Sequence, residues 1–87
     1  MKTFQVVAVF DNLAESFLQP TFIESEEQAI RLFTHQINNI PLWKDNSTDF
    51  ELYKLGEYDA ENGMLVSDLH KIMKGASVVK HEEKKED

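Results

Sequence analysis

Residues 25–41 read SEEQAIRLFTHQINNIP, and they decide the fold because they predict one long amphipathic helix. The stretch opens with a capping box, in which the Ser25 hydroxyl accepts from the Gln28 N–H and the Gln28 side chain reaches back. Two glutamates follow in the first turn, where the helix dipole favours negative charge. Apolar side chains then recur at three- and four-residue spacing, at Ala29, Ile30, Phe33, Ile37 and Ile40. Pro41 disfavours helical geometry at the residue before it, so the helix should end there after roughly four turns.

Two strands are predicted on the N-terminal side of this helix. Residues 3–10 alternate, with Phe4, Val6, Ala8 and Phe10 on one face and Thr3, Gln5, Val7 and Val9 on the other. Because both faces carry β-branched or aromatic side chains, this strand should be central and covered on both sides. After a polar turn, residues 16–23 form a second, antiparallel strand. Pro20 cannot donate to a ladder, so this strand should lie at an edge or contain a break.

Two further strands are predicted after the helix. Residues 42–48 are expected to be a loop and residues 50–58 a third strand. Phe50 and Leu52 share one face of that strand, and Tyr53 and Leu55 share the other. Residues 59–63 form a hairpin loop, since Asn62-Gly63 suits positive φ. Residues 64–67 then form a short fourth strand.

The C-terminal segment is predicted to be less regular. Ser67 caps one or two helical turns at residues 68–74, and Gly75 stops them. Residues 76–79 form either a last short strand or an apolar flap. Residues 80–87 carry mixed charge without a large apolar side chain, which indicates a disordered charged tail.

The predicted fold is therefore α+β. A four-stranded antiparallel sheet in the order β-β-α-β-β carries one main helix on one face, plus a short C-terminal helix or strand. Residues 1–79 form a single domain. One helix covers one face of such a sheet. Val7, Val9, Tyr53 and Leu55 then either occupy the other face or compete for the covered one. Either the segment after Ser67 or a second copy of the chain should cover them, and we expect a homodimer.

Composition narrows the function classes. The chain of 87 residues has no cysteine, which excludes disulfides and thiolate metal sites and fits a reducing cytosol. The N-terminal apolar run is too short to span a membrane, so no membrane partner is expected. The net charge of −7 repels phosphate backbones and favours a basic protein partner.

No catalytic or metal-binding motif is recognisable. His35, His70 and His81 lack the spacing of a zinc site and are expected to be exposed polar residues. Carboxylates between residues 49 and 61 are expected to be solvated, and the chain lacks a glycine-rich phosphate loop. We therefore predict a protein that is not an enzyme and that has no catalytic residue, metal or cofactor. An enzyme that uses His35 with a nearby carboxylate stays open as an alternative.

The candidate binding residues are apolar, aromatic or basic. Trp43 either plugs the end of the core or anchors a partner. Tyr53 and Tyr58 are available for stacking on bases, and Lys44, Lys54 and Arg31 are the nearest phosphate contacts. The predicted binding set is Val7, Val9, Trp43, Lys44, Tyr53, Lys54 and Leu55.

Three stretches, read together, are similar to a known family. They are Gln19-Pro20-Thr21-Phe22, then Glu27-Gln28-Ala29-Ile30-Arg31-Leu32-Phe33, and finally residues 49–59 followed by Gly63-Met64-Leu65. In this order they resemble the small nonstructural protein of gokushovirus-type microviruses, which are single-stranded DNA phages. The resemblance spans roughly residues 1–67, and the segment after Asp68 matches nothing in it.

The resemblance implies a nonstructural accessory protein in the host cell cytoplasm. It implies a role in replication or packaging of a single-stranded DNA genome, and the acidic charge favours action through a replication initiator or a host replication protein. Direct binding to single-stranded DNA through a local basic patch is an alternative. An acidic inhibitor of a host protein is another alternative.

Overall fold

The computed structural model describes residues 2–80 and shows an antiparallel sheet with helices packed on one face. The described strands are β1 (Thr3–Asp11), β2 (Ser16–Phe17), β3 (Thr21–Ile23), β4 (Phe50–Asp59) and β5 (Met64–Lys74). The helices are α1 (Glu26–Asn39), α2 (Pro41–Asp45) and α3 (Gly75–Val78), with a 3₁₀ turn at Ser47–Asp49. The expected α+β class and the antiparallel sheet are confirmed.

The sheet has five described strands, so the predicted four-strand layout is wrong. Strand β1 is central, pairs with β2 and β3 on one side and with β4 on the other, and β5 follows β4. The segment predicted as one second strand is divided into β2 and β3 between Phe17 and Thr21. Pro20 lies in this interval, where its missing N–H costs no ladder bond.

Helix α1 begins and ends where the sequence predicts. The Ser25 hydroxyl accepts from the Gln28 N–H at 3.2 Å. The Gln28 side-chain oxygen accepts from the Glu24 N–H at 3.0 Å, one residue before the expected donor. At the other end Ile40 is already extended, with φ −103° and ψ 111°, immediately before Pro41. Cap chemistry and proline therefore fix the length of the helix.

The core lies between α1 and the sheet. Phe33 and Ile37, at 1% and 0% exposure, are its largest fully buried side chains. The remaining buried members are Val7, Val9, Ile23, Ala29, Phe50 and Leu52. Burial of these apolar side chains is the main stabilising contribution in a chain of this size.

Val7 and Val9 belong to this core, so of the two predicted placements they take the covered face, and the expectation that a second copy must cover them is wrong for these two residues. They are 4% and 8% exposed. Val9 pairs with Leu52, and Gln5 pairs with Ile23, so the neighbouring strands present their own apolar residues on the same face as Val7 and Val9. Helix α1 packs on the sheet face where β1, β3 and β4 all present apolar side chains. The opposite face instead carries Phe4, Val6, Ala8 and Phe10.

The C-terminal half of the hairpin also differs from the prediction. Residues 68–74 were expected to be helical, but they continue β5, which pairs with the whole length of β4. Ile72 and Met73 pack against the core, and this burial favours the strand over the local helical preference.

Helix α3 replaces the strand or flap predicted at residues 76–79. Val78 and Val79 pack against the core on the α1 side, and the Asn38 amide donates to the Val78 carbonyl at 2.9 Å. Asn38 also accepts from the Lys80 N–H. This segment therefore does not cover the uncovered face. The predicted charged tail lies, from residue 81 onward, outside the described residues.

Candidate functional site

The sheet face opposite α1 carries six aromatic side chains in two clusters. In the first cluster, Phe10 and Phe17 meet edge to face with ring centroids 4.8 Å apart, and Tyr53 lies 5.3 Å from Phe17 and 6.1 Å from Phe10. Cross-strand pairing explains this contact, because Phe10 pairs with Phe17 and Ala8 pairs with Tyr53. Phe17 is 40% exposed, so this cluster presents aromatic surface to solvent.

The second cluster lies at the other end of β1. The Tyr58 ring stacks beside Phe4 at 6.4 Å and meets Phe22 edge to face at 5.3 Å. Phe22 is 49% exposed. Between the two clusters lie the smaller residues Val6, Ala8 and Gly56. We call the six rings, Phe4, Phe10, Phe17, Phe22, Tyr53 and Tyr58, the aromatic face.

Charged groups flank both clusters, and those at the first cluster come from β4 and β5. Lys71 Nζ lies 6.0 Å from the centroid of the Tyr53 ring and 3.3 Å from Glu51 Oε2. Lys74 pairs with Glu51 in the ladder, which places it on the same face. Lys71 and Glu51 therefore adjoin the Tyr53 side chain, and the Tyr53 hydroxyl donates to Glu51 at 3.5 Å. At the second cluster the cross-strand neighbour of Tyr58 is Leu65, and Phe4 and Phe22 line a cavity together with Arg31 and His35 of α1.

Lys54, a predicted binding residue, lies on the face opposite Tyr53. Its ammonium contacts Glu57 at 2.8 Å and Asp68 at 3.5 Å, and its side chain is 12% exposed. The hydrogen bond to Glu57 raises the pKa of Lys54 above its ordinary value, with the charges of both carboxylates adding to it against the effect of burial. Two carboxylates thus balance its charge, and the structure separates Lys54 from the aromatic face.

Trp43 and Lys44 lie in α2, within the segment predicted as a loop. Pro41 occupies the first turn of this helix, a position where its missing N–H is tolerated. Trp43 is half-buried and stacks on Phe50, with ring centroids 4.6 Å apart and planes 14° apart. Of the two readings of Trp43, this packing fits the core plug. Lys44 is in the last turn of α2, away from the aromatic face.

Leu55 lies at an irregularity of β4. Val6 pairs with Gly56 and Val7 pairs with Lys54, so Leu55 has no partner in β1. It is half-buried and lines a shallow depression together with Val6 and Leu65. Of the predicted binding set, Tyr53 and Leu55 therefore border the uncovered face, whereas Val7 and Val9 are inaccessible beneath α1.

The histidines are dispersed. His35 is exposed on α1 and His70 is exposed on β5, as predicted, while His81 lies outside the described residues. Within residues 2–80, no three histidine or carboxylate side chains come close enough to hold a metal ion. In the same part of the chain, no helix combines the length and apolar character that a membrane span requires.

Sequence reasoning missed four members of the aromatic face, Phe4, Phe10, Phe17 and Phe22. The signal was present, since Phe4 and Phe10 share a face in the alternation of residues 3–10. That face contributed no predicted binding residue, because Val7 and Val9 were expected to be the side chains left uncovered. Pairing with β2 and β3 assembles the remaining rings, and no local pattern encodes such pairing.

The residues that match a known protein family coincide closely with those that form the sheet and helices. A family model described as Phage ORF5 protein matches residues 4–78. The chain belongs to this family of phage proteins. The match extends through β5 and α3, beyond the point where the resemblance in the sequence ended. No curated protein and no solved structure matches the chain.

Proposed function

We propose that this phage protein is a nonstructural accessory protein of a gokushovirus-type microvirus. In this proposal it acts in the host cytoplasm without catalysis, in replication or packaging of a single-stranded DNA genome. It does so by docking its aromatic face on a replication protein. Membership of the phage family supports the phage role, and the sequence resemblance supports the microvirus and the replication role.

The observation that carries this proposal is the exposure of the aromatic face. Phe17 and Phe22 lie on a sheet face that none of the helices in the described chain covers, and each keeps two-fifths or more of its surface in solvent. Aromatic side chains are enriched where protein partners bind, because they bury much area at little cost in side-chain entropy. A surface of this kind suits a protein partner with an apolar patch.

Charge supports a protein partner over a nucleic acid. The whole chain carries −7, which repels a phosphate backbone at long range and attracts a basic surface. At the second aromatic cluster Leu65 pairs with Tyr58, and Glu24 lies with Arg31 in the cavity that Phe4 and Phe22 line. Docking on a basic replication protein therefore agrees with the net charge of the chain.

A pull-down with the replication initiator of the same phage tests the proposal. We expect the wild-type chain to retain the initiator and Phe22→Ala to weaken binding by roughly tenfold or more, the loss typical of a hot-spot residue. Leu42→Ala is the matched control, because Leu42 is 67% exposed and lies in α2, away from the aromatic face. Equal binding by both variants, or no binding by the wild type, would reject the proposal.

A second candidate, direct binding of single-stranded DNA, is favoured by one observation. Lys71 lies over the Tyr53 ring and Lys74 shares its face, so phosphate contacts and a base-stacking ring are adjacent. Such binding should weaken steeply with salt in a gel shift, and Lys71→Glu should abolish it. Lys44→Glu is the control of equal charge change. Affinity that ignores salt would exclude this candidate.

A further inference from the structure

A cavity that is open to solvent lies between α1 and β3, beside the second aromatic cluster. Its volume is about 710 Å³, within the range of small-molecule binding sites. Much of its wall is apolar, and the largest apolar side chains that line it are Phe4, Phe22 and Leu32. Phe22 and Leu32 keep 49% and 41% of their surface exposed, so a bound molecule would remove further apolar surface from water.

The guanidinium group of Arg31 lines this cavity without a partner of its own. Arg31 is the only arginine of the chain, and within residues 2–80 its side chain forms no ion pair or hydrogen bond. Glu27 lies four residues earlier on α1, a spacing that supports ion pairs on helices, yet the two side chains do not pair. The guanidinium is therefore available to an anionic group of a ligand.

Two neighbouring side chains add hydrogen-bond donors to this guanidinium. Gln28, Arg31 and His35 follow one another at three- and four-residue spacing, so they lie on one face of α1. The Gln28 side-chain oxygen accepts from the Glu24 N–H, which leaves the amide nitrogen of Gln28 to donate. Asn39 Nδ2 lies 3.2 Å from His35 Nδ1. Because an amide nitrogen only donates, the neutral imidazole carries its proton on Nε2, where it is a further donor.

Glu24 supplies the opposite charge in the same cavity. Its carboxylate forms no ion pair or hydrogen bond with any other residue of the described chain, so it does not neutralise Arg31 directly. A simple anion in the cavity is repelled by Glu24, and a simple cation is repelled by Arg31. An uncharged apolar molecule removes water from both groups and gives neither of them a partner. A molecule that carries both charges on an apolar body satisfies all of these groups.

We propose that this cavity binds a free α-amino acid with an apolar side chain. The carboxylate of the amino acid accepts from Arg31 and Gln28, and its ammonium group donates to Glu24. Its side chain packs against Phe4 and Phe22. Such a zwitterion has no net charge, so the net charge of −7 on the chain does not repel it at long range as it repels a nucleotide or an acidic peptide.

This site goes beyond the proposed function and does not depend on it. Glu24 and Arg31 are not part of the aromatic face, and the binding of an amino acid requires no partner protein. Phe22 belongs to both sites, so an occupied cavity covers one of the rings that are offered for docking. Arg31→Gln and Glu24→Gln retain all six rings, so the initiator pull-down in the absence of amino acids tests docking separately.

Titration of the isotope-labelled chain with L-phenylalanine, followed by nuclear magnetic resonance, tests the site. We expect the amide signals of Phe22, Ile23 and Leu32 to shift and to saturate with a dissociation constant on the order of 1 mM, which suits a ligand of this size. Three analogues should each bind roughly tenfold more weakly. Glycine lacks the apolar side chain, N-acetyl-L-phenylalanine lacks the ammonium group, and L-phenylalaninamide lacks the carboxylate.

Matched variants assign the two charges. Arg31→Gln should weaken the binding of L-phenylalanine roughly tenfold without weakening that of L-phenylalaninamide. Glu24→Gln should weaken L-phenylalanine to a similar extent without weakening N-acetyl-L-phenylalanine. Lys44→Gln removes one charge from α2, outside the cavity, and should leave the affinity for L-phenylalanine unchanged.

The proposal would be overturned if L-phenylalanine shifted none of these signals, or if either analogue that lacks one charge bound as tightly as L-phenylalanine. An affinity for L-phenylalanine that Arg31→Gln or Glu24→Gln leaves unchanged would overturn it as well. None of these results affects the pull-down with the initiator.

Discussion

The same substitution on the two faces of the sheet tests whether the aromatic face exists for binding or for stability. Phe33 is 1% exposed beneath the sheet, whereas Phe22 is 49% exposed and makes one ring contact, with Tyr58. Truncation to alanine removes the same atoms from both. The comparison therefore isolates burial from side-chain chemistry.

The structure gives different magnitudes for the two sites. Phe33→Ala removes a fully buried ring and leaves a cavity, at a cost of about 3–5 kcal/mol. Full burial of a phenylalanine side chain stabilises a fold by about 1.5–3 kcal/mol, and Phe22 is only half buried. Phe22→Ala therefore loses about half of that free energy together with one edge-to-face contact, at a total cost of about 2 kcal/mol. A chain of 87 residues has a free energy of unfolding of roughly 4–13 kcal/mol. Phe22→Ala should therefore stay folded, while Phe33→Ala approaches the limit of stability.

Urea unfolding followed by circular dichroism measures both costs. We expect the midpoint to fall about twice as far for Phe33→Ala as for Phe22→Ala, at an unchanged slope. The initiator pull-down on folded Phe22→Ala then shows the loss of binding without loss of fold. Equal destabilisation at the two sites would refute the reasoning, because the aromatic face would then act as a second core.

Three further outcomes are expected, each measurable by urea unfolding. Gly56→Ala should cost about 1–3 kcal/mol, because a Cβ there would overlap the Val66 carbonyl oxygen. At Gly63 an added Cβ meets no neighbouring atom, so Gly63→Ala should cost only the strain of a φ of 78°. Equal losses of stability in the two variants would contradict this. Ser25→Ala should cost about 1 kcal/mol by removing the N-cap bond to Gln28, and Ser25→Asp should retain it. The raised pKa of Lys54 means that its ion pairs contribute at neutral pH and up to its ordinary value of 10.5, and that the contribution is lost as the pH rises through the higher folded-state value. A stability that Lys54→Met leaves equally dependent on alkaline pH would argue against that assignment.

Local signals predicted those elements whose limits are set by nearby residues. The caps of α1 lie at Ser25 and before Pro41, and the turn before β5 contains Gly63 with positive φ. The same reasoning failed at residues 42–48, where α2 and a 3₁₀ turn replace the predicted loop. It also failed at residues 68–74, where a strand replaces helical turns. In both places the burial of Trp43 or Ile72 against the core outweighs a weak local preference.

Part of the candidate site was also predictable. Tyr53 was correctly placed on the face away from Leu52, because alternation in a strand has a period of two, and it pairs with Ala8 of the uncovered face. Leu55 lies at the irregularity of β4, where this alternation is interrupted. Lys54 and Tyr53 were predicted to contribute to one binding site. Adjacent residues of a strand point to opposite faces, however, so their side chains lie on opposite sides of the sheet. The carboxylates that balance Lys54 come from Glu57 and from Asp68 on another strand. Their approach depends on the pairing of β4 with β5.

The sequence by itself determined the α+β class, the length of α1 and the existence of two apolar faces on β1. These depend on caps, proline and periodicity, which act within a few residues along the chain. Only the tertiary structure decided which face α1 covers, and therefore that Phe4, Phe10, Phe17 and Phe22 are the rings left outside. That choice depends on the register of three strands distant in sequence, because α1 packs where Val9, Leu52 and Ile23 present apolar side chains together.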